Sequence, residues 1–250
     1  MNLSLVVPAY KQEKTIVQDI KNLDKVLSCL PYKYEILIVE DGFLDGTGRK
    51  IKNQKSKIKN LRVLGYEKNH GKGYAVKYGM LRAKGDIIGF IDAGMDINPS
   101  EISIALDLMQ WKDADIIIGS KLHPDSKVSY PVIRKVMSWG YRTFTHLLFG
   151  FDVKDTQVGL KLFKKKPAHD IFSKIIIKSF AFDVEVLAVA YRLGYKKIYE
   201  SPVKLNFTGN SSIESITSSS FWKVIFGMLW DTAAIFYRLR FMRYYDKIRR

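Results

Sequence analysis

The sequence is poor in cysteine and proline and contains no long apolar run. Cys29 is the only cysteine, so no intrachain disulfide can form and a disulfide-stapled scaffold is excluded. No stretch reaches the roughly 18 consecutive apolar residues of a confident membrane span. The histidines lack the spacing of a zinc site and stand at positions 70, 123, 146 and 169. Because 47% of the 250 residues are hydrophobic, the chain can form one sizeable core.

Acidic residues are also few: 25 aspartates and glutamates stand against 41 lysines and arginines, which gives a formal charge of +16. Such an excess favours an anionic partner, whether nucleic acid, anionic lipid or a phosphorylated small molecule. A basic nucleic-acid-binding protein is one alternative, but it rests on charge alone, since no nucleic-acid-binding module is recognisable. A Walker A motif is absent, and Gly71-Lys72-Gly73 does not complete a dinucleotide-binding G-x-G-x-x-G.

Short β-rich runs alternate with segments of helical period as far as residue 120. This alternation predicts parallel strands joined by crossover helices, and therefore an α/β fold. The first ten residues, MNLSLVVPAY, predict its first strand rather than a signal peptide. We expect strands at 3–7, 35–39, 61–65, 86–91 and 115–118, and helices at 13–30, 46–55, 73–83 and 99–111.

Polar residues and glycines follow the predicted strands, where ligands bind in sheets of this kind. Asp92 and Asp96 come after the fourth strand, and two carboxylates so close would repel each other without a cation between them. Hard oxygen ligands of this type suit Mg²⁺ or Mn²⁺. The alternative is a pair of turn formers, with Asp92 ending the strand and Asp96 helping to cap the next helix.

Beyond residue 120 the pattern is mixed and is expected to complete the same domain. We expect a helix at 132–149, a turn at 152–157, a strand at 159–163 and a helix at 182–193, followed by a segment at 197–205 that Pro202 interrupts. A serine-rich stretch at 209–220 predicts a hinge or loop. The predicted domain is therefore 1–210, in two halves at 1–120 and 121–210, and 211–250 holds the hinge and a last helix.

Several motifs follow one another along the chain, namely Pro8-Ala9-Tyr10, Val39-Glu40-Asp41-Gly42, Asn69-His70-Gly71-Lys72-Gly73, Asp92-Ala93, Gly119-Ser120-Lys121, Asp155-Thr156-Gln157-Val158-Gly159-Leu160-Lys161 and Phe182-Asp183-Val184-Glu185. Their ordered combination resembles the family 2 glycosyltransferases of GT-A fold. The second half is similar to dolichyl-phosphate glucose and dolichyl-phosphate mannose synthases, and closest to the glucosyl type. The resemblance covers nearly the whole chain and implies a nucleotide-sugar half at 1–120 and an acceptor half at 121–210.

The resemblance implies a Rossmann-like, mostly parallel sheet and a set of site residues. The nucleotide would be bound by Pro8, Ala9, Tyr10, Asp41 and Lys72. A Mg²⁺ or Mn²⁺ ion would be held by Asp92 and Asp96. The diphosphate or the acceptor would meet Lys121, Arg134, Arg142, Gln157 and Lys161. The chain departs from the family pattern at Gly94, where the second carboxylate of Asp-x-Asp usually stands, and at Phe43, where a serine is usual.

The implied activity is inverting transfer of a hexose, glucose or mannose, from a nucleotide sugar such as UDP-glucose or GDP-mannose to dolichyl or another polyprenyl phosphate. A polyprenyl phosphate already carries an oxyanion at neutral pH, because its second pKa is about 6. A glycan hydroxyl acceptor is the alternative; it would need a general base, for which Asp155 is the carboxylate best placed by motif. Asp155 is equally well explained as a turn residue before the strand at 159–163.

The C-terminal segment combines an apolar helix with a basic tail. Residues 224–237 are nearly all apolar but include Asp231, and residues 238–250 contain six lysines and arginines and one aspartate. This pattern predicts a helix held at an anionic membrane surface. The alternative is a core helix with a solvated charged end. We therefore expect a peripheral or monotopic protein at the cytoplasmic face of a membrane, with no nucleic-acid partner.

Overall fold

The structure is a computed structural model and describes residues 1–128, 132–205 and 219–247. A seven-stranded sheet lies between helices, and a second sheet has two strands. The strands are β1 (Asn2–Ala9), β2 (Lys33–Asp41), β3 (Leu61–Tyr66), β4 (Ile87–Ile91), β5 (Ile116–Ser120), β6 (Lys127–Val128), β7 (Leu160–Lys164), β8 (Ile198–Pro202) and β9 (Lys204–Leu205).

The helices follow the strands in the order that the alternation predicts for the first half of the chain. They are α1 (Ile16–Ser28), α2 (Thr47–Lys52), α3 (Lys72–Met80), α4 (Glu101–Trp111), α5 (Val132–Phe149), α6 (Lys165–Phe172), α7 (Phe182–Arg192), α8 (Ser219–Arg240) and α9 (Tyr244–Lys247). The predicted hinge at 209–220 lies outside the described residues except for its last two, which begin α8.

The main sheet has the order β3-β2-β1-β4-β7-β5-β8. All neighbouring strands are parallel except at β7, which runs antiparallel to both β4 and β5. The central strands are buried on both faces, as Leu5, Val6 and Val7 of β1 show, because helices cover the sheet from both sides. The predicted α/β fold with a mostly parallel sheet is confirmed.

Three elements were not predicted: β6, α6 and α9. Helix α6 begins directly after β7, in the run Lys165-Lys166-Pro167, which reads as a basic surface loop. Pro167 lies in the first turn of the helix, where its missing N–H has no intrahelical partner to lose. The predicted interruption near Pro202 is confirmed, since β8 ends there and β9 starts two residues later.

The core lies in two layers, one on each side of the sheet. One layer contains α1 and α4, and the other contains α3, α6, α7 and the inner sides of α8 and α9. Ile235 of α8 is fully buried and Tyr245 of α9 is 1% exposed, so the C-terminal segment packs on the domain. Among the described helices, none combines the length and apolarity needed to cross a bilayer. The division of the chain near residue 210 remains a prediction.

Candidate active site

The candidate site lies at the carboxyl ends of β1, β2 and β4, where the sequence predicted it. Because β7 is antiparallel to β4, the residues before β7 reach the same edge, and the backbone N–H of Asp92 donates to the carbonyl of Gly159 at 3.0 Å. A Cβ atom on Gly159 would lie 2.1 Å from Oδ2 of Asp92. Only glycine at position 159 therefore leaves room for the Asp92 carboxylate.

Lys72 and Asp92 form an ion pair at the centre of this edge. The Lys72 Nζ atom lies 2.7 Å from Oδ1 and 2.8 Å from Oδ2 of Asp92. Their side chains are 20% and 37% exposed, so a ligand can reach both. Burial lowers the pKa of Lys72, but the carboxylates of Asp92 and Asp183 outweigh burial and raise it overall. Lys72 is thus a cation fixed beside the first carboxylate of the predicted metal site.

A second ion pair, between Lys161 and Asp183, lies beneath the first and is fully enclosed. Lys161 is 0% and Asp183 4% exposed, and the Lys161 ammonium also donates to the carbonyl of Val158 at 2.9 Å. Burial lowers the pKa of Lys161 and raises the pKa of Asp183. The prediction that Lys161 lines the acceptor side is therefore wrong. Its motif position marks a buried structural pair, because a lysine enclosed in the core needs a carboxylate partner.

The third pair joins Lys121 to Asp155. The Asp155 carboxylate accepts hydrogen bonds from the backbone N–H groups of Lys121 at 3.0 Å and Gln157 at 3.3 Å, and Lys121 Nζ lies 3.8 Å away. Asp155 is only 7% exposed. This arrangement favours the turn role of Asp155, and its role as a general base stays a prediction. Gln157 is half-buried at the same turn.

The Asp41 carboxylate also accepts hydrogen bonds from the loop at residues 69–71. Its two oxygens accept hydrogen bonds from the Asn69 side chain at 2.8 Å and from the N–H groups of His70 at 2.7 Å and Gly71 at 3.0 Å. The residue is 2% exposed, so in this conformation it holds the loop that leads into Lys72. Its predicted contact with the base or ribose of a nucleotide is untested.

The other predicted nucleotide residues end the first strand. Pro8 and Ala9 belong to β1, and Ala9 is fully buried beside Glu40 of β2. Tyr10 is 44% exposed, and Lys11 Nζ lies 5.4 Å from the centre of its ring. Tyr10 is therefore the member of this motif whose side chain is open to a ligand.

The loop after β4 is stabilised by Asp19 of α1, which the sequence did not identify as a site residue. The N–H of Gly94, which has φ of 84°, donates to Oδ2 of Asp19 at 2.9 Å. Burial raises the pKa of Asp19, which lies on the buried side of α1 between Ile16 and Ile20. An acidic residue on an apolar helix face was the available signal. Asp96, the second predicted metal ligand, is half-buried in the same loop.

The residues at this edge could hold a divalent metal ion only if a bound substrate supplied further oxygen atoms. Within the described parts of the chain, no three His, Cys, Asp or Glu side chains are grouped as in a closed metal site. A Cβ on Gly94 would meet nothing within 4 Å, so the place of a second carboxylate is open space. Oδ1 of Asp92 is buried and pairs with the Lys72 ammonium 2.7 Å away, but it accepts no well-aligned hydrogen bond. Because Mg²⁺ needs one or two carboxylates when substrate phosphates complete its shell, Asp92 suits a metal bound with a diphosphate.

The two predicted arginines lie on α5. Arg142 lines a pocket with Thr143 and His146 of the same helix and with residues 151–154, which lead to the Asp155 turn. The side chain of Arg134 lies outside the described residues, although its backbone is part of α5.

The outer side of α8 exposes aromatic residues in a single stripe. Trp222, Phe226, Trp230, Tyr237 and Phe241 follow at spacings of four or seven residues and are between 49% and 77% exposed. Such spacing places them along one side of a helix. We call these five residues the aromatic stripe. The opposite side packs inward, where Thr232 is fully buried and its hydroxyl lies 2.7 Å from that of Tyr141 on α5.

Comparison with known proteins agrees with this architecture. The family model described as glycosyl transferase family 2 matches residues 4–172. The chain is 31% identical to the dolichyl-phosphate beta-glucosyltransferase of Dictyostelium discoideum, over 87% of this chain and 70% of that protein. It is 30% identical to the human dolichyl-phosphate beta-glucosyltransferase, over 96% of this chain and 76% of that one.

Solved structures share the fold at lower identity. Mannosyl-3-phosphoglycerate synthase from Rubrobacter xylanophilus superposes with a TM-score of 0.70 at 17% identity, covering 96% of this chain and 74% of that one. Glucosyl-3-phosphoglycerate synthase from Mycobacterium tuberculosis, solved with Mn²⁺, UDP and phosphoglyceric acid, gives 0.67 at 16% identity, covering 94% and 77%. The predicted GT-A architecture is confirmed by these neighbours.

Proposed function

The chain belongs to glycosyl transferase family 2, and from this premise we propose that it transfers glucose from UDP-glucose to dolichyl or another polyprenyl phosphate. Relatives at 30–31% identity, aligned over 87–96% of the chain, are dolichyl-phosphate beta-glucosyltransferases. UDP is the nucleotide bound in one solved structure of the same fold. GDP-mannose is the alternative donor, and the assay below distinguishes the two.

One observation favours a phosphate acceptor over a sugar hydroxyl: the Asp155 carboxylate is occupied by two backbone N–H groups. A hydroxyl nucleophile needs a base that removes its proton, and Asp155 was the carboxylate that the motif offered. A phosphate monoester needs none, because it is already an oxyanion at neutral pH. The acceptor phosphate oxygen would bond to the anomeric carbon, the bond from that carbon to the diphosphate would break, and its electron pair would remain on the diphosphate.

The chain supplies cations to the leaving diphosphate. We expect the Lys72 ammonium to exchange Asp92 for the diphosphate as negative charge develops there, because a cation in a partly buried site stabilises such charge strongly. Lys121, at the turn beside Asp155, and Arg142, in the pocket near residues 151–154, lie where an acceptor phosphate would be neutralised.

A divalent cation fits the same proposal. Asp92 would hold it, with Asp96 as the second predicted ligand and diphosphate oxygens completing the shell. When bound, Mg²⁺ or Mn²⁺ would supply further positive charge to the leaving group. Mn²⁺ is present in a solved structure of the same fold.

The aromatic stripe and the basic residues near it would hold the protein on a lipid surface. Exposed aromatic side chains settle at the boundary between headgroups and acyl chains, while lysines and arginines attract anionic lipid. Lys223, Arg240 and Arg243 lie on or just after α8. The cytoplasmic leaflet carries the anionic lipids that such residues prefer, so we place the protein at that face. A dolichyl phosphate acceptor would be reached there without leaving the membrane.

The test is transfer of radiolabel by the purified protein. UDP-glucose or GDP-mannose, each labelled in the sugar, is incubated with Mg²⁺ or Mn²⁺ and with dolichyl phosphate, using dolichol as the control acceptor. We expect organic-extractable label from UDP-glucose with dolichyl phosphate and none with dolichol. Label found only on water-soluble glycan would overturn the acceptor, and label from GDP-mannose alone would overturn the donor.

A further inference from the structure

Asp231 is the single acidic residue of α8, and its side chain lies away from the aromatic stripe. It is half-buried, and its Oδ2 atom accepts a hydrogen bond of 2.5 Å from the hydroxyl of Ser179. A charge-assisted hydrogen bond of this kind is among the stronger polar contacts in a protein. Asp231 therefore ties α8 to the segment between α6 and α7.

That segment, residues 176–179, lies directly against the loop that carries Lys72. The N–H of Gly73 donates to the carbonyl of Lys178 at 2.8 Å. A Cβ atom on Gly71 would lie 2.6 Å from the same carbonyl oxygen, and a Cβ on Gly73 would lie 2.7 Å from the carbonyl oxygen of Ile177. The backbones of residues 71–73 and 177–178 are too close for a side chain to fit between them, so a shift of one segment would displace the other.

The C-terminal segment is linked to residues 176–179 at a second point, through Glu185 of α7. Glu185 of α7 accepts hydrogen bonds from the N–H groups of Ile176, at 3.0 Å, and Ile177, at 2.7 Å. Its other oxygen accepts one of 2.6 Å from the hydroxyl of Tyr245, which lies in α9. The contacts from α8 and α9 together hold residues 176–179 between the C-terminal segment and the Lys72 loop.

We propose that Asp231 is a positioning residue for the donor site: through Ser179 it holds residues 177–179 against Gly71 and Gly73, and so fixes Lys72 beside Asp92. Lys72 stands between those two glycines at the first position of α3. This inference rests on the proposed function in one respect, namely that Lys72 meets the diphosphate of the donor. The same link joins the helix that bears the aromatic stripe to the reacting end of the molecule.

The experiment compares Asp231→Ala and Ser179→Ala with Asp246→Ala, in detergent so that membrane binding does not enter. Asp246 is a matched control because it lies on the same C-terminal segment and pairs with Arg192 at the surface. Hydrogen exchange of residues 71–76 is measured without substrate, and binding of UDP-glucose by calorimetry. We expect faster exchange and about three- to tenfold weaker binding for the first two variants, with neither change for the control.

Further variants separate positioning from general destabilisation. The double variant of Asp231 and Ser179 should equal either single variant, because both remove one contact. Asp231→Asn keeps an acceptor oxygen and should restore most of the affinity. Wild-type exchange at 71–76 in Asp231→Ala would overturn the inference. If the wild-type protein bound no UDP-glucose, the proposed donor would fail, while the exchange measurement would still decide whether Asp231 holds the Lys72 loop.

Discussion

Basic residues lie both at the edge of the sheet and along α8, but the side chains that surround them differ between the two regions. At the edge and directly beneath it, three lysines lie against carboxylates: Lys72 against Asp92, Lys121 against Asp155 and Lys161 against Asp183. On α8, Lys223 and Arg240 are exposed, and the same helix exposes aromatic rings. Burying a charge costs several kcal/mol unless it is paired, whereas an exposed charge keeps its water.

The formal charge of +16 does not come from the ion pairs of the site. Three lysines at the sheet edge are balanced by three aspartates, so these pairs add nothing to the excess. The excess therefore lies outside these pairs, and the C-terminal tail holds part of it. Charges in the site would act by exchanging one partner for another when a diphosphate enters. Charges on α8 would act through a field that salt screens over about 10 Å at 0.1 M.

Breaking the enclosed pair should give the largest effect. Lys161→Met leaves Asp183 buried without its closest cation, which should lower the free energy of unfolding by about 3 to 5 kcal/mol. Urea denaturation followed by circular dichroism measures this. The control is Lys197→Met, which removes an exposed pair with Asp113 and should change stability much less. Equal midpoint shifts for the two variants would contradict the view that burial makes the first pair costly to break.

Neutralising the accessible carboxylate should abolish most activity with little loss of stability. Asp92→Asn keeps the shape of the side chain but removes the charge that holds Lys72 and would hold a metal. We expect transfer to dolichyl phosphate to fall by about a hundredfold or more. Asp107→Asn, at an exposed position of α4, is the control and should retain full activity. Unchanged turnover in Asp92→Asn would show that the site lies elsewhere.

Removing part of the aromatic stripe should weaken lipid binding without affecting the site. The double variant Trp230→Ser and Phe226→Ser should bind vesicles containing phosphatidylserine about tenfold less in a flotation assay. Trp111→Ser is the matched control, because Trp111 on α4 is 76% exposed and Trp230 is 77% exposed. Equal loss in both would mean that exposed tryptophan in general, and not this stripe, binds the vesicles. High salt should weaken wild-type binding.

Adding a carboxylate at the sheet edge should give the smallest effect. Gly94→Asp puts an acid into open space, although φ of 84° at this position strains any side chain by about 1 kcal/mol or more. We expect Mn²⁺, measured by electron paramagnetic resonance with UDP present, to bind several-fold more tightly. Gly194→Asp, with φ of 88° and equally open surroundings, controls for the strain. Identical Mn²⁺ affinity in the two variants would show that a carboxylate at position 94 does not contribute to metal binding.

The sequence predicted the first half of the fold well because the relevant signals are local. Strands β1 to β5 and helices α1 to α4 were found from hydrophobic period and boundary residues, with errors of a few residues at their ends. Helix α6 was missed because its lysines and proline resemble a surface loop. Its apolar residues, including Ile171 and Phe172, are buried by the neighbouring helix α7 and by α3, which is distant in the sequence.

The structure places Lys72 and Asp92 together at the carboxyl edge of the sheet, while the roles of the predicted site residues stay predictions. Lys161 was expected at the acceptor side because its motif resembles one of the family, yet it is enclosed with Asp183. Asp19 and Ser179 belong to no motif, and only their contacts with Gly94 and Asp231 give them meaning. Sequence spacing indicates the buried side of a helix, but it does not show which distant residue a side chain on that side contacts.

The sequence by itself therefore determined the order of the elements, the edge at which we expect a ligand to bind and the composition of the C-terminal helix. Each of these follows from period, chain order and local composition, which need no knowledge of distant contacts. The tertiary structure alone decided which lysine meets which carboxylate, since the pairs are 20, 22 and 34 residues apart. Such choices depend on how much water remains around each charge, and packing determines that.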